Sequence, residues 1–255
     1  MRSCRLALTC DDIILRMDTS KLIKVGVENH FENRSLAWVL EFPGCFAYGS
    51  NETEALIRVP QALIAYKSWL EGYTEDSWLQ DLADFDIRLV EVFECHILNE
   101  QYEPAKEGME VNAWFHHDWL PLNQDEIRKG LSVLAWAHQD LYELTAGLPA
   151  EQLDRTYEGE RWSIRGILLH VADAELYYLD RLSLTPYGHN DLVTMNIWDS
   201  LQFTLKQNRD LLMNLAGVND VRGREGEFWS PRKIVRRACW HALDHCQHIH
   251  RLITM

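Results

Sequence analysis

The sequence predicts an α+β protein with two domains: a small α/β sheet domain over residues 17–120 and an all-α, up-down four-helix bundle over residues 121–255. Two patterns predict this division. Before residue 121, apolar residues occur in short runs rich in β-branched side chains and separated by turn signals. After residue 121, they recur at helical spacing in four long segments, which is typical of a bundle.

The first half is predicted to fold in the order β-β-β-α-β-β. The predicted strands are residues 21–28, 35–44, 45–50, 86–98 and 110–122. Pro43-Gly44 is a strong turn signal between the second and third strands. The helix follows over residues 51–72, with Asn51 or Thr53 as its N-cap. Pro60 lies within this stretch, and we expect it to kink the helix or to mark its true beginning.

The second half is predicted to contain four amphipathic helices. They span about residues 124–146, 164–184, 197–217 and 232–253. Asn123 and Ser163 are suitable N-caps for the first two, and Ser230-Pro231 is a strong start for the last. The connection between the second and third helices is predicted to be short. The other two connections are longer, and both carry Trp, Arg and Glu in the sequences EGERW and REGEFW.

The net charge of -14 is distributed unevenly along the chain. The first 120 residues carry 10 Lys/Arg against 21 Asp/Glu, which argues against nucleic-acid binding because phosphate contacts require cations. The second half has one basic cluster of four residues, for which a solvent-exposed helix face is the favoured interpretation. These residues are Arg232, Lys233, Arg236 and Arg237.

The sequence gives no signal for membrane insertion or secretion. Its apolar runs are shorter than the roughly 20 residues that a spanning helix requires. Asp11 and Asp12 interrupt the first apolar stretch, which makes a poor signal peptide. Met17 opens a cleaner start, so we expect residues 1–16 to be an extension with little structure. The six cysteines form no CxxC pair, so reduced thiols in a cytoplasmic protein are the simplest interpretation.

Four of the 11 histidines lie close together in the last predicted helix, in the sequence WHALDHCQHIH. His241 and His245 are one helical turn apart and share a face, so they are the best chelating pair. His245 with His248 is the second choice, and His250 points away from His241. There is no Glu inside the HxxxH pattern, so a HExxH protease is disfavoured.

A two-histidine chelate needs at least one further ligand. The best candidate is His170, because it lies in an otherwise apolar run of the second predicted helix. A polar ring in such a place requires a partner. The alternative is a core histidine that bonds to a carbonyl of a neighbouring helix. The residues alone leave both interpretations open.

Two segments of the second half resemble the DinB family, which includes thiol-dependent S-transferase-like proteins of bacteria. They are GERWSIRGILLHVADAELYYLDRL, residues 159–182, and WHALDHCQHIHRL, residues 240–252. The resemblance covers about residues 124–253. It implies a four-helix bundle that holds one divalent metal ion, Zn, Ni or Fe, by three histidines. These match His170, His241 and His245, and the family's later histidine matches His248, which we place near the ion.

The resemblance also implies a function. Related proteins are thought to transfer low-molecular-weight thiols to electrophiles or to hydrolyse small molecules, so we expect a metal-dependent transferase or hydrolase with a small-molecule substrate. Asp173 or Asp244 could accept the free N–H of a ligand histidine, and Tyr177 could line the pocket. The sequence identifies no catalytic side chain. A stress-response role as a metal or redox sensor would require a reactive thiol, for which Cys246 is the candidate near the site.

The stretch VLEFPGCFAYGSNETEALIRVPQALIAYKSWL, residues 39–70, resembles HicB-like antitoxins. The resemblance covers about residues 21–72 and implies a partial RNase H-like sheet that acts as a small binding or regulatory module. We expect this module to shape substrate access or to form a homodimer. The alternative function for the whole chain is therefore a non-enzymatic, antitoxin-like binding protein with a metal-stabilised bundle.

Overall fold

The computed structural model describes residues 21–75 and 84–254. The predicted extension, residues 1–16, and the predicted start at Met17 lie outside the described residues. The first half forms four strands and a helix: β1 Lys21–Phe31, β2 Arg34–Val39, β3 Phe46–Gly49, α1 Glu52–Glu71 and β4 Phe85–Glu94. The sheet order is β3-β2-β1-β4, with β1 and β4 parallel and the other neighbouring pairs antiparallel.

Helix α1 covers one face of the sheet. Its N-cap is Asn51, whose side chain accepts a hydrogen bond from the Glu54 N–H. The helix begins before Pro60 and continues past it, so the proline does not mark the start. The buried face of α1 packs against the apolar side chains of β1 and β2. This face consists of Ala55, Val59, Leu63, Tyr66 and Leu70.

Two of the strand predictions need correction. The predicted strand 86–98 is β4 followed by β5 Ile97–Leu98, which belongs to a separate small sheet with β6 Pro104–Ala105 and β7 Met109–Glu110. The predicted strand 110–122 is wrong, because residues His116–Trp119 form a 3₁₀ helix. The buried Asp118 accounts for this turn, since its carboxylate accepts a hydrogen bond from the Phe115 N–H at 2.9 Å.

The four predicted bundle helices are present. The helices and strands of the second half are α2 Gln124–Thr145, α3 Ala150–Leu153, α4 Ile164–Arg181, α5 His189–Leu192, α6 Ile197–Leu212, β8 Arg222–Arg224, β9 Glu227–Trp229 and α7 Pro231–Thr254. Asn123 and Ser163 cap α2 and α4 as predicted. The connection between α4 and α6 is not short, because it spans residues 182–196 and contains α5.

The packing order of the bundle differs from the predicted up-down arrangement. In an up-down bundle, consecutive helices are neighbours. Here α2 packs mainly against α6 and α7, and α4 packs mainly against the same two helices. The connections over residues 146–163 and 216–230 are long enough to cross the bundle, which allows this order. As a result, α4 and α7 lie side by side.

Helix α7 also covers the second face of the sheet. Trp240 of α7 packs with Phe31, Trp38 and Phe115 in a separate apolar cluster. The main hydrophobic cluster is itself continuous from β1 through α1 to the bundle helices. The two halves therefore share a core, and the boundary at residue 120 stays a prediction.

The basic cluster at the start of α7 is buried, so its predicted solvent exposure is wrong. The Arg236 guanidinium donates to both carboxylate oxygens of Asp118, at 3.3 and 2.7 Å. The Lys233 ammonium donates to the carbonyls of Asn112 and Phe228. Arg232 forms an ion pair with Glu126, and Arg237 forms one with Glu28. Most of these partners lie more than 100 residues away in the chain, so no local pattern could reveal them.

None of the helices in the described residues has the length and apolar character needed to cross a membrane.

Candidate metal centre

Three histidines converge where α4 meets α7. His241 and His245 are one turn apart on α7, and His170 faces them from α4. The Nε2 atom of His241 is 3.1 Å from Nε2 of His170 and 3.1 Å from Nε2 of His245. The candidate ligand atoms of the three residues all lie within 4.8 Å of one another. The structure thus brings together the three residues that the sequence predicts as ligands.

The geometry fits a transition-metal ion. Nitrogen ligands bind zinc at 2.0–2.1 Å, so two nitrogens of a tetrahedral site lie about 3.3 Å apart. The nitrogen separations of 3.1 Å are close to this value. Burial also lowers the pKa of each ring: to about 3 for His245, well below the usual range for His241, and downward for His170. Neutral imidazoles keep the lone pair that a metal ion requires.

The Nδ1 atoms of the α7 histidines lack the carboxylate partners that the sequence predicts. Neither Asp173 nor Asp244 accepts a hydrogen bond from His241 or His245, because Nδ1 of both rings is buried without a partner. The Asp173 carboxylate lies 2.9 Å from Nδ1 of His189 instead. Burial raises the pKa of the Asp244 carboxyl. Both carboxyl groups line the cavity beside the histidines, as does Tyr177.

His248 lies beside the cluster. Its ring centre is 5.8 Å from that of His245, and its Nε2 is 2.9 Å from a carboxylate oxygen of Glu160. Glu160 belongs to the EGERW loop, so this contact fastens the loop to α7. Trp162 of the same loop stacks on His170, with ring centres 4.4 Å apart and an interplanar angle of 27°.

A buried carboxylate lies on the same helix as His170 but away from the histidine cluster. Glu175 is fully buried in the bundle core, where its carboxylate lies 2.5 Å from His138 Nε2 and 2.9 Å from Asn208 Nδ2. Glu175 therefore links three bundle helices and does not line the cavity of the histidine cluster.

The histidine cluster opens into a cavity of about 800 Å³. Sequence reasoning missed several of its walls, because they come from distant parts of the chain. Phe31 and Glu32 belong to the β1–β2 hairpin turn, where Glu32 and Asn33 both have positive φ. Tyr187 and His189 come from the connection that was expected to be short. The EGERW loop also lines the cavity, through Arg161 and Trp162.

The thiol of Cys246 is not placed for reactivity. It is buried, its Sγ lies 3.4 Å from the Ala137 carbonyl oxygen, and burial raises its pKa well above the usual range. A protonated, buried thiol is a poor nucleophile. The redox-sensor interpretation therefore has no support from this residue.

Comparison with known proteins gives a family match that includes this site. A model described as the DinB superfamily matches residues 134–249, which contain all three histidines. A DinB superfamily domain thus occupies this part of the chain. No curated protein sequence matches the chain. The HicB-like resemblance of the first half stays a prediction.

One solved structure resembles the chain in fold. It is described as YfiT from Bacillus subtilis, a probable metal-dependent hydrolase with an unusual four-helix bundle topology. The two chains are 19% identical, the match covers 52% of this chain and 89% of the other, and the TM-score is 0.40.

Proposed function

We propose that His170, His241 and His245 bind one divalent transition-metal ion and that the cavity above them is the active site of a small-molecule hydrolase or thiol transferase. The observation that carries this proposal is the convergence of three Nε2 atoms from two helices at one point. Imidazole ligands suit Zn, Ni and Fe.

Three neutral imidazoles leave coordination positions for a substrate or a water molecule. An ion held there supplies a Lewis acid and lowers the pKa of a bound water or thiol. The chain's own residues hold the three rings in place and limit the access of water. Trp162 stacks on His170, and Tyr178 meets the His241 ring edge-on at 6.2 Å.

The cavity favours an enzyme over a non-enzymatic scaffold. A metal that only stabilised the bundle would need no space beside it, whereas this cluster opens into about 800 Å³. That volume suits a small molecule. Phe31 and Glu32 of the hairpin line part of the cavity, which supports a role for the first half in substrate access. The low-molecular-weight thiol remains one of two candidate co-substrates, with water as the other.

Metal analysis of the purified full-length protein tests the site. We expect one equivalent of metal in the wild type and its loss in H170A and H245A. The matched control is H250A, which removes an exposed histidine of the same helix and should keep the metal. Equal metal content in all four proteins would overturn the site.

The metal-loaded protein then separates the two reactions. It would be offered p-nitrophenyl esters without a thiol, and a halogenated acceptor with small thiols. Turnover of an ester that is lost in H245A supports a hydrolase, and thiol-dependent halide release lost in the same variant supports a transferase. A metal-loaded protein without turnover in either screen would favour the scaffold.

A further inference from the structure

The two long connections of the bundle carry similar sequences, but their arginines differ in their partners. In the REGEFW loop, Arg224 forms an ion pair with Asp180 at 3.0 Å. In the EGERW loop, the Arg161 guanidinium lies 4.5 Å from the centre of the Trp162 ring. Across residues 21–75 and 84–254, Arg161 has no ion pair and no hydrogen bond. Its five N–H donors are therefore available to a ligand.

Arg161 is placed at the histidine cluster. It lines the same cavity as His170, His241 and His245. Its guanidinium stacks on Trp162, and Trp162 stacks on His170. Stacking on a ring restricts the orientation of an exposed guanidinium, so less freedom is lost when it binds an anion.

Arg161 also has no competitor among the paired carboxyl groups of the cavity. Three of the four carboxyl groups that line the cavity have charged or ionisable partners within the protein, and burial raises the pKa of the fourth, Asp244. The pairs are Asp173 with His189, Asp180 with Arg181 and Arg224, and Glu32 with Arg34. A second cation of the lining, Arg237, is incompletely paired: its Nη1 is 3.6 Å from Glu28, and its Nε has no acceptor.

The accessible walls of the cavity are aromatic. Tyr177 and Tyr187 line it with 37% and 42% of their surface exposed, and Trp162 is half-buried beside them. Such rings favour a planar apolar body, because they stack on it and displace weakly held water.

We propose that the cavity binds a small molecule composed of an aromatic body and one oxyanion, and that Arg161 pairs with the oxyanion. The oxyanion is a carboxylate or a phosphate-type group. This inference deepens the proposed function, on which it rests for the reaction, by naming the substrate class. Arg161 acts as a specificity-determining residue, because it selects the charged form of the ligand.

Calorimetric titration of the full-length protein tests this with three probes of matched size. Benzoate and phenyl phosphate carry the two oxyanions, and benzamide keeps the shape without the charge. The variants are R161Q and the control R155Q. Arg155 lies in the same connection, is exposed, stacks on Tyr157 at 5.2 Å and does not line the cavity.

We expect at least one oxyanion probe to bind the wild type more tightly than benzamide. R161Q should weaken that probe roughly three- to tenfold, the range between exposed and charge-assisted pairs, and leave benzamide unchanged. R155Q should match the wild type. Equal affinity in R161Q and the wild type would overturn the proposal, as would equal losses in both variants or the absence of oxyanion binding to the wild type.

Titrations of metal-free and zinc-loaded protein separate this inference from the proposed function. An oxyanion held only by the metal would lose affinity on metal removal and none in R161Q, which contradicts the role of Arg161. A protein that binds no zinc but still loses oxyanion affinity in R161Q would contradict the metal site and keep the anion site.

Discussion

Helix α7 buries polar side chains both in its first two turns, which include Arg236, and in the next three, which include His241. The two parts differ in the groups that these side chains contact. Arg236 meets the carboxylate of Asp118, with both oxygens bonded. His241 meets two other imidazoles, and its Nδ1 has no partner. Buried cations that meet a carboxylate hold a structure together, whereas imidazoles that converge on one another with lone pairs define a place for a ligand. One helix thus carries both kinds of site.

The largest effect is expected when the ion pair between Arg236 and Asp118 at the start of α7 is broken. In D118A, the buried Arg236 loses its carboxylate, and removal of one partner of a buried pair costs about 3–5 kcal/mol. We expect urea unfolding to show a loss of this size in metal-free protein. The comparison is H241A, which removes a neutral ring and should cost clearly less. Equal losses would mean that the two regions do not differ as described.

The second prediction concerns the pH dependence of stability through Lys233. Burial lowers the pKa of Lys233 to about 8 from its ordinary value of 10.5. The folded state therefore binds fewer protons than the unfolded state between these values, so stability rises as the pH increases from about 8 to 10.5. The gain is at most about 3 kcal/mol at 1.36 kcal/mol per pKa unit.

Denaturation of the wild type and K233M over pH 7–10.5 measures this gain. The wild type should become more stable relative to K233M as the pH rises. A difference in unfolding free energy between the two proteins that stayed constant across this range would refute the lowered pKa of Lys233.

The third prediction concerns the histidine cluster of α4 and α7. Binding of a metal to the folded protein alone stabilises it by about 2.7 kcal/mol at a free concentration 100 times the dissociation constant. Zinc should therefore raise the melting temperature of the wild type and of H250A, but not of H245A. Scanning calorimetry with and without a chelator measures the difference, and an equal shift in H245A would place the ion elsewhere.

The smallest expected effect concerns the contact between His248 and Glu160, which are both partly exposed. Pairs of this kind contribute at most about 1 kcal/mol. E160Q should therefore change the unfolding free energy by less than this amount and keep one equivalent of metal. Loss of metal in E160Q would show that this contact positions the histidine cluster and does more than fasten the loop.

Much of the fold could be predicted from local signals. Asn51, Asn123 and Ser163 cap their helices as their sequence contexts predict. The histidines could be grouped because His241 and His245 are one turn apart and His170 lies in an apolar run. The 3₁₀ turn at Asp118 could not be predicted, because it depends on a buried partner on α7. The packing order of the bundle depends on contacts between distant helices and has no local signal either.

The candidate site shows the same limit. Two sequence motifs predicted the three histidines, but no motif predicted the residues that form the walls of the cavity. Phe31 and Glu32 reach it only because α7 packs on the sheet, and His189 reaches it through a connection whose fold was misjudged. Asp173 was expected to support a ligand histidine because it is close to His170 in sequence, but its carboxylate pairs with His189 from another element.

The position of α7 between sheet and bundle has a consequence for how this protein can be divided. The histidine pair lies on the same helix as Arg236 and Arg237, whose carboxylate partners Asp118 and Glu28 come from the first half. A fragment that began at residue 121 would keep the three histidines. It would leave two buried cations without their carboxylate partners and would remove one wall of the cavity. Excision, domain exchange or fusion design should therefore treat both halves as one inseparable unit.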